Sequence, residues 1–147
     1  MNGKKVLFIL DHLKGGGAER IAIEVAESFF NNGYEVNVAL LNDKDTRMHL
    51  PETINKINLD LEPIFYSGKF WRNRKNNFTP NDRRKVESLI SNIEPDLTIL
   101  SHNYAHLLLS SFEYSDNVWA WIHGDITPSP EKETSSLFYW YKEKRRI

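Results

Sequence analysis

Val6-Leu7-Phe8-Ile9-Leu10-Asp11-His12-Leu13-Lys14-Gly15-Gly16-Gly17 is the stretch whose reading decides the fold. Its first five residues are an unbroken β-prone run, which is how a strand buried on both faces of a parallel sheet reads. The polar, glycine-rich turn breaks that pattern. Ala18, Ile21, Ala22, Val25, Ala26 and Phe29 then recur at helical spacing, which predicts an amphipathic helix with those side chains on one face. Gly33 stands where a left-handed C-terminal cap is wanted. Glu35 to Leu41 supplies the next strand, with Val36, Val38 and Leu40 on one side. Strand, glycine loop, helix and strand together make a βαβ unit.

Working outward, Ile54 to Leu59 alternates apolar and polar residues, as a strand near a sheet edge does. Glu62 to Phe78 has no clear period and reads as a long loop. Thr79-Pro80-Asn81-Asp82 reads as a helix start, with threonine as N-cap, proline at the first helical position and a carboxylate near the positive end of the dipole. That helix runs to about Asn92, and Pro95 forbids its continuation. Leu97 to Leu100 and Val118 to Ile122 read as further buried strands, separated by a helix around Ala105 to Ser111. Leu137, Phe138, Trp140 and Tyr141 suggest a last helix with an aromatic face.

This alternation predicts an α/β fold: a Rossmann-like three-layer α/β/α domain with a mostly parallel sheet in the order 3-2-1-4-5, spanning residues 1–147 as one domain. In such a sheet ligands bind beyond the carboxyl ends of the strands, where the order reverses, here between the first and fourth strands.

Composition narrows the partners. Nineteen Lys and Arg against twenty Asp and Glu leave a formal net charge of −1, without the global basic field that holds a protein on nucleic acid. With no cysteine there is no disulfide framework and no thiolate metal site. The expectation is a cytoplasmic protein with no nucleic-acid partner. His12, His49 and His106 show no metal-ligand spacing, so no metal is expected.

Three segments fall on the expected binding edge. In Gly15-Gly16-Gly17-Ala18-Glu19-Arg20, glycines let backbone N–H groups approach a ligand, and the helix that follows offers unpaired donors to a phosphate or a hydroxyl-rich sugar. A plain flexible turn is the competing reading. The loop lacks the Gly-Lys-Ser/Thr of a P-loop, and Arg20 stands where a dinucleotide fingerprint needs its third glycine. The second and third segments are Ser101-His102-Asn103 and Trp121-Ile122-His123-Gly124-Asp125. Imidazole and carboxylate there can exchange hydrogen bonds with sugar hydroxyls. His123 could equally serve only to tie down the Gly124 turn.

A short strand, then Gly-Gly-Ala-Glu-Arg at 16–20 opening an apolar helix, then Asn32-Gly33-Tyr34-Glu35-Val36, resembles the opening of family-4 glycosyltransferases, retaining enzymes of the GT-B fold. The likeness returns at residues 95–102 and at Trp121-Ile122-His123-Gly124-Asp125. It implies a transferase that moves a sugar from a nucleotide-sugar donor to a sugar, lipid-linked or protein acceptor, without cofactor or metal. It implies that Gly16 and Gly17 approach the donor diphosphate or the acceptor, and that His123 lies beside the donor sugar as the catalytic group. Gly15, Glu19, His102, Asn103 and Asp125 are the further candidates for substrate binding. Members of that family continue into a second domain that carries most nucleotide contacts. No part of these 147 residues corresponds to it, so the chain is expected to be incomplete alone and to need that C-terminal domain or a partner subunit.

Lys69-Phe70-Trp71-Arg72-Asn73-Arg74-Lys75 interleaves bases and aromatics. Through Lys69, Trp71, Arg72, Arg74 and Lys75 it offers peripheral contact with the inner face of a membrane, against the simpler reading of a solvated loop. Two other functions compete: a non-catalytic α/β module binding a nucleotide or a protein, and a dinucleotide-dependent oxidoreductase with Asp43 as ribose ligand.

Overall fold

The computed structural model describes residues 3–61, 78–101, 105, 108 and 117–121. In chain order the elements are β1 (Lys5–Leu10), α1 (Gly17–Asn31), β2 (Glu35–Leu40), β3 (Asn55–Asn58), α2 (Pro80–Ile93), β4 (Leu97–Ser101) and β5 (Val118–Trp121). The five strands form one sheet in the order β3-β2-β1-β4-β5, and every neighbouring pair is parallel. This is the expected Rossmann-like α/β arrangement.

β1 is the centre, and its uniform hydrophobicity follows from having both faces covered. Val6, Phe8 and Leu10 pack with Ala22, Ile23 and Ala26 of α1 on one face. Leu7 and Ile9 pack with Val86 and Leu89 of α2, and with Ala105 and Leu108, on the other. Two apolar layers therefore sandwich the sheet between helices. Asn37 of β2 is buried, and its side-chain oxygen accepts a 2.7 Å bond from the Asn55 amide of β3. That pair pins the register of a four-residue edge strand whose own apolar content is small.

The helix ends follow local chemistry. At the C-terminus of α1, Gly33 has φ +85°, its N–H donates to the Phe30 carbonyl, and the Tyr34 N–H donates to that of Phe29. This is a Schellman motif, closed by edge-to-face contact of Phe29 with Tyr34 at 5.2 Å between ring centres. At the start of α2, the Thr79 hydroxyl accepts from the Asp82 N–H while the Asp82 carboxylate accepts from the Thr79 N–H, a capping box just ahead of and behind Pro80.

Two expectations need correction. Ile21 lies 44% exposed, and Ile23 takes its place in the core, because the buried stripe of α1 runs through positions 19, 22, 23 and 26. The strand at Val118–Trp121 is not buried throughout: among the described strands it lies at the edge beyond β4, as the expected order has it, and Trp119 is 62% exposed. The expected helices at 105–111 and 137–141 and the loop at 62–78 lie wholly or largely outside the described residues.

Candidate functional site

The register aligns the strand ends. Leu10 of β1 is level with Leu40 of β2 and with Ser101 of β4, and Ser101 is level with Trp121 of β5. The chain therefore leaves β1, β4 and β5 along one edge of the sheet, where the order reverses between β1 and β4. Of the site candidates, Gly15, Gly16, Gly17 and Glu19 are described and lie at this edge. His102, Asn103, His123 and Asp125, with Lys69, Trp71, Arg72, Arg74 and Lys75, lie outside the described residues.

The three glycines stand there for three different reasons. Gly15 has φ +101°, a conformation that a side chain resists. Gly16 is the N-cap of α1 with extended backbone, and the space a Cβ would take is filled by the Glu19 carboxylate, whose Oε2 lies 2.6 Å from that point. Gly17 opens the helix, and a Cβ there would meet nothing within 4 Å. Only Gly17 faces room for another molecule at its Cα.

Glu19 is the third residue of α1, so its carboxylate folds back toward the helix head, where partial positive charge gathers. Its side chain is 7% exposed, and its Oε1 stands 3.2 Å from Nδ1 of His12. Burial pushes the His12 pKa below its ordinary value, more strongly than the Glu19 carboxylate beside it raises it, and Lys14 adds to the lowering. The loop is walled on the β2 side. The N–H groups of Arg47 and Met48 both donate to the Leu13 carbonyl, at 2.9 and 3.1 Å, and Lys14 reaches Asp45 at 3.6 Å.

Asp11, the residue after β1, was not singled out by sequence reasoning. It is buried, and its carboxylate accepts a 2.7 Å bond from the Ala105 N–H, tying the end of β1 to the segment that follows β4. The signal was an acidic residue placed directly after an unbroken apolar strand, on the edge where ligands bind. His12, which has no metal-ligand spacing in the sequence, is brought against Glu19 by the fold.

Asp43 is engaged elsewhere. One carboxylate oxygen accepts from Lys56 Nζ at 2.8 Å and the other from the Thr46 hydroxyl. Burial raises its pKa, but these two donors outweigh that and hold it below the ordinary carboxylate value. Among the described residues no cluster of His, Asp or Glu could hold a metal ion, and no helix is long and apolar enough to cross a membrane. No protein-family model and no curated protein matches the chain.

Proposed function

We propose that the chain is the N-terminal, acceptor-side half of a retaining glycosyltransferase that moves a sugar from a nucleotide-sugar donor. The observation that carries the reading is the glycine loop Gly15–Gly17, which opens α1 from the end of the central strand, at the reversal point of a parallel 3-2-1-4-5 sheet. The motif resemblance around Gly16–Arg20, Gly33–Val36 and residues 121–125 supplies the class of chemistry, which fold alone does not.

Glu19 sharpens the role of the loop. A carboxylate already sits at the head of α1 and over Gly16, so a diphosphate there would meet a like charge at short range. The loop is suited to a hydroxyl-bearing acceptor, with Gly17 as the open approach and the Glu19 and His12 pair as hydrogen-bonding groups behind it. Stabilising the leaving diphosphate falls to basic groups outside this half.

Calorimetric titration with sugar nucleotides, free mono- and oligosaccharides and nicotinamide dinucleotides tests the reading. Saccharide binding that G17V abolishes, with negligible donor turnover by the chain alone, is expected. Tight binding of a nicotinamide dinucleotide would replace the transferase with an oxidoreductase. Binding of no saccharide would leave the non-catalytic nucleotide- or protein-binding module.

A further inference from the structure

Away from the rim between β1 and β4, the edge strand β3 and helix α2 flank a shallow, open depression of about 450 Å³, lined by Asn58, Asn81, Arg84, Lys85, Ser88 and Asn92, with Leu59 and Leu89 between them. That volume is within the range of about 300–1,000 Å³ typical of small-molecule clefts. Its polar wall is one stripe of α2: residues 81, 84, 85, 88 and 92 recur three, four, seven and eleven positions on, so they share a face. Among the described residues no carboxylate lines it, whereas two cations do.

The two cations differ in how they are held. Lys85 Nζ donates to the carbonyls of Leu59 and Asp60, at 3.2 and 2.9 Å, and so is a fixed positive charge beside the end of β3. Arg84 is exposed and takes part in none of the ion pairs among the described residues. Its planar guanidinium matches two oxygens of a phosphate or carboxylate, with the Ser88 hydroxyl one turn along and the Asn81 amide one turn back. Asn58 uses its side-chain oxygen to accept from the Asp60 N–H, at 3.0 Å, which orients its NH₂ as a donor. Amides and hydroxyl suit sugar hydroxyls, and the two leucines suit the C–H face of a ring.

We propose that this depression is a second binding site, for an oxyanion carried on a small polyhydroxyl body, with Arg84 as its anchor. Titration calorimetry of the chain with glucose 6-phosphate, glucuronate, inorganic phosphate and glucose tests it, alongside the same titrations of R84Q and S88L. Glucose 6-phosphate or glucuronate should bind saturably, at least tenfold more tightly than glucose. Each variant should weaken that binding at least tenfold, and the acid that binds distinguishes phosphate from carboxylate. Both substitutions lie on an exposed face, so thermal midpoints matching the parent separate a lost site from a lost fold. Absence of saturable binding of either acid, or equal binding by the parent and both variants, overturns the proposal.

Discussion

The carboxylate of Glu19 occupies the side-chain space of Gly16: its Oε2 lies 2.6 Å from the position of a Cβ at that residue. A side chain at 16 would therefore have to push the tip of Glu19 aside, whatever the loop binds. G16A should lower stability by roughly 0.5–1 kcal/mol, since the tip of Glu19 must shift and alanine is a poorer N-cap than glycine. G17A, at an open first helical position, should raise it by roughly 0.4–1 kcal/mol. Denaturant midpoints at unchanged slope decide both, and equal effects of the two substitutions would contradict the geometry.

His12 makes the loop sensitive to acid. Its folded pKa lies below the ordinary 6.5, chiefly through burial, so the unfolded chain takes up the proton first as the pH falls. The contribution of neutral His12 to stability is complete above about pH 6.5 and is lost as the pH drops through the folded value. The difference in unfolding free energy between the parent and H12Q should therefore be flat above pH 7 and should change below it. A pH-independent difference would mean that burial does not govern this imidazole.

The capping box of α2 is a local determinant with a measurable worth. T79A removes the acceptor for the Asp82 N–H, and D82A removes the acceptor for the Thr79 N–H. Each should cost about 0.5–2 kcal/mol. The double variant should cost less than the sum, because the two bonds are reciprocal. Strict additivity in a double-mutant cycle would show that the bonds act independently.

Glu94 closes α2 in the left-handed region, at φ 50°. A side chain there costs about 1–2 kcal/mol, part of which glycine returns through a more flexible unfolded chain. E94G should stabilise the protein by about 0.5–1 kcal/mol, read as a higher thermal midpoint.

Periodicity made most of the fold legible. The apolar run of β1, the Thr79-Pro80 start and Gly33 each have a local cause, so each could be read without knowing what surrounds it. Ile21 and Ile23 were harder, because on a helix rich in Ala, Ile and Val the apolar arc is wider than the surface that α1 buries. Trp119 was harder still: the strand order places its strand at the edge, but an unbroken apolar run does not show which of its side chains face solvent. The site was legible as a location, through the glycines and the strand order. The pairing of His12 with Glu19 and the bond from Ala105 to Asp11 were not, since both depend on how the backbone turns after β1.

β1 hydrogen-bonds to β2, close by in sequence, and to β4, where Val6 meets Leu97. The first pairing closes through a single helix; the second must wait until a far longer length of chain has looped back, at greater entropic cost and lower speed. A nascent chain consequently holds its most water-averse strand with one flank open, a template for stray strands of other molecules. The sheet around β1 is therefore complete only once Leu97 to Ser101 has docked.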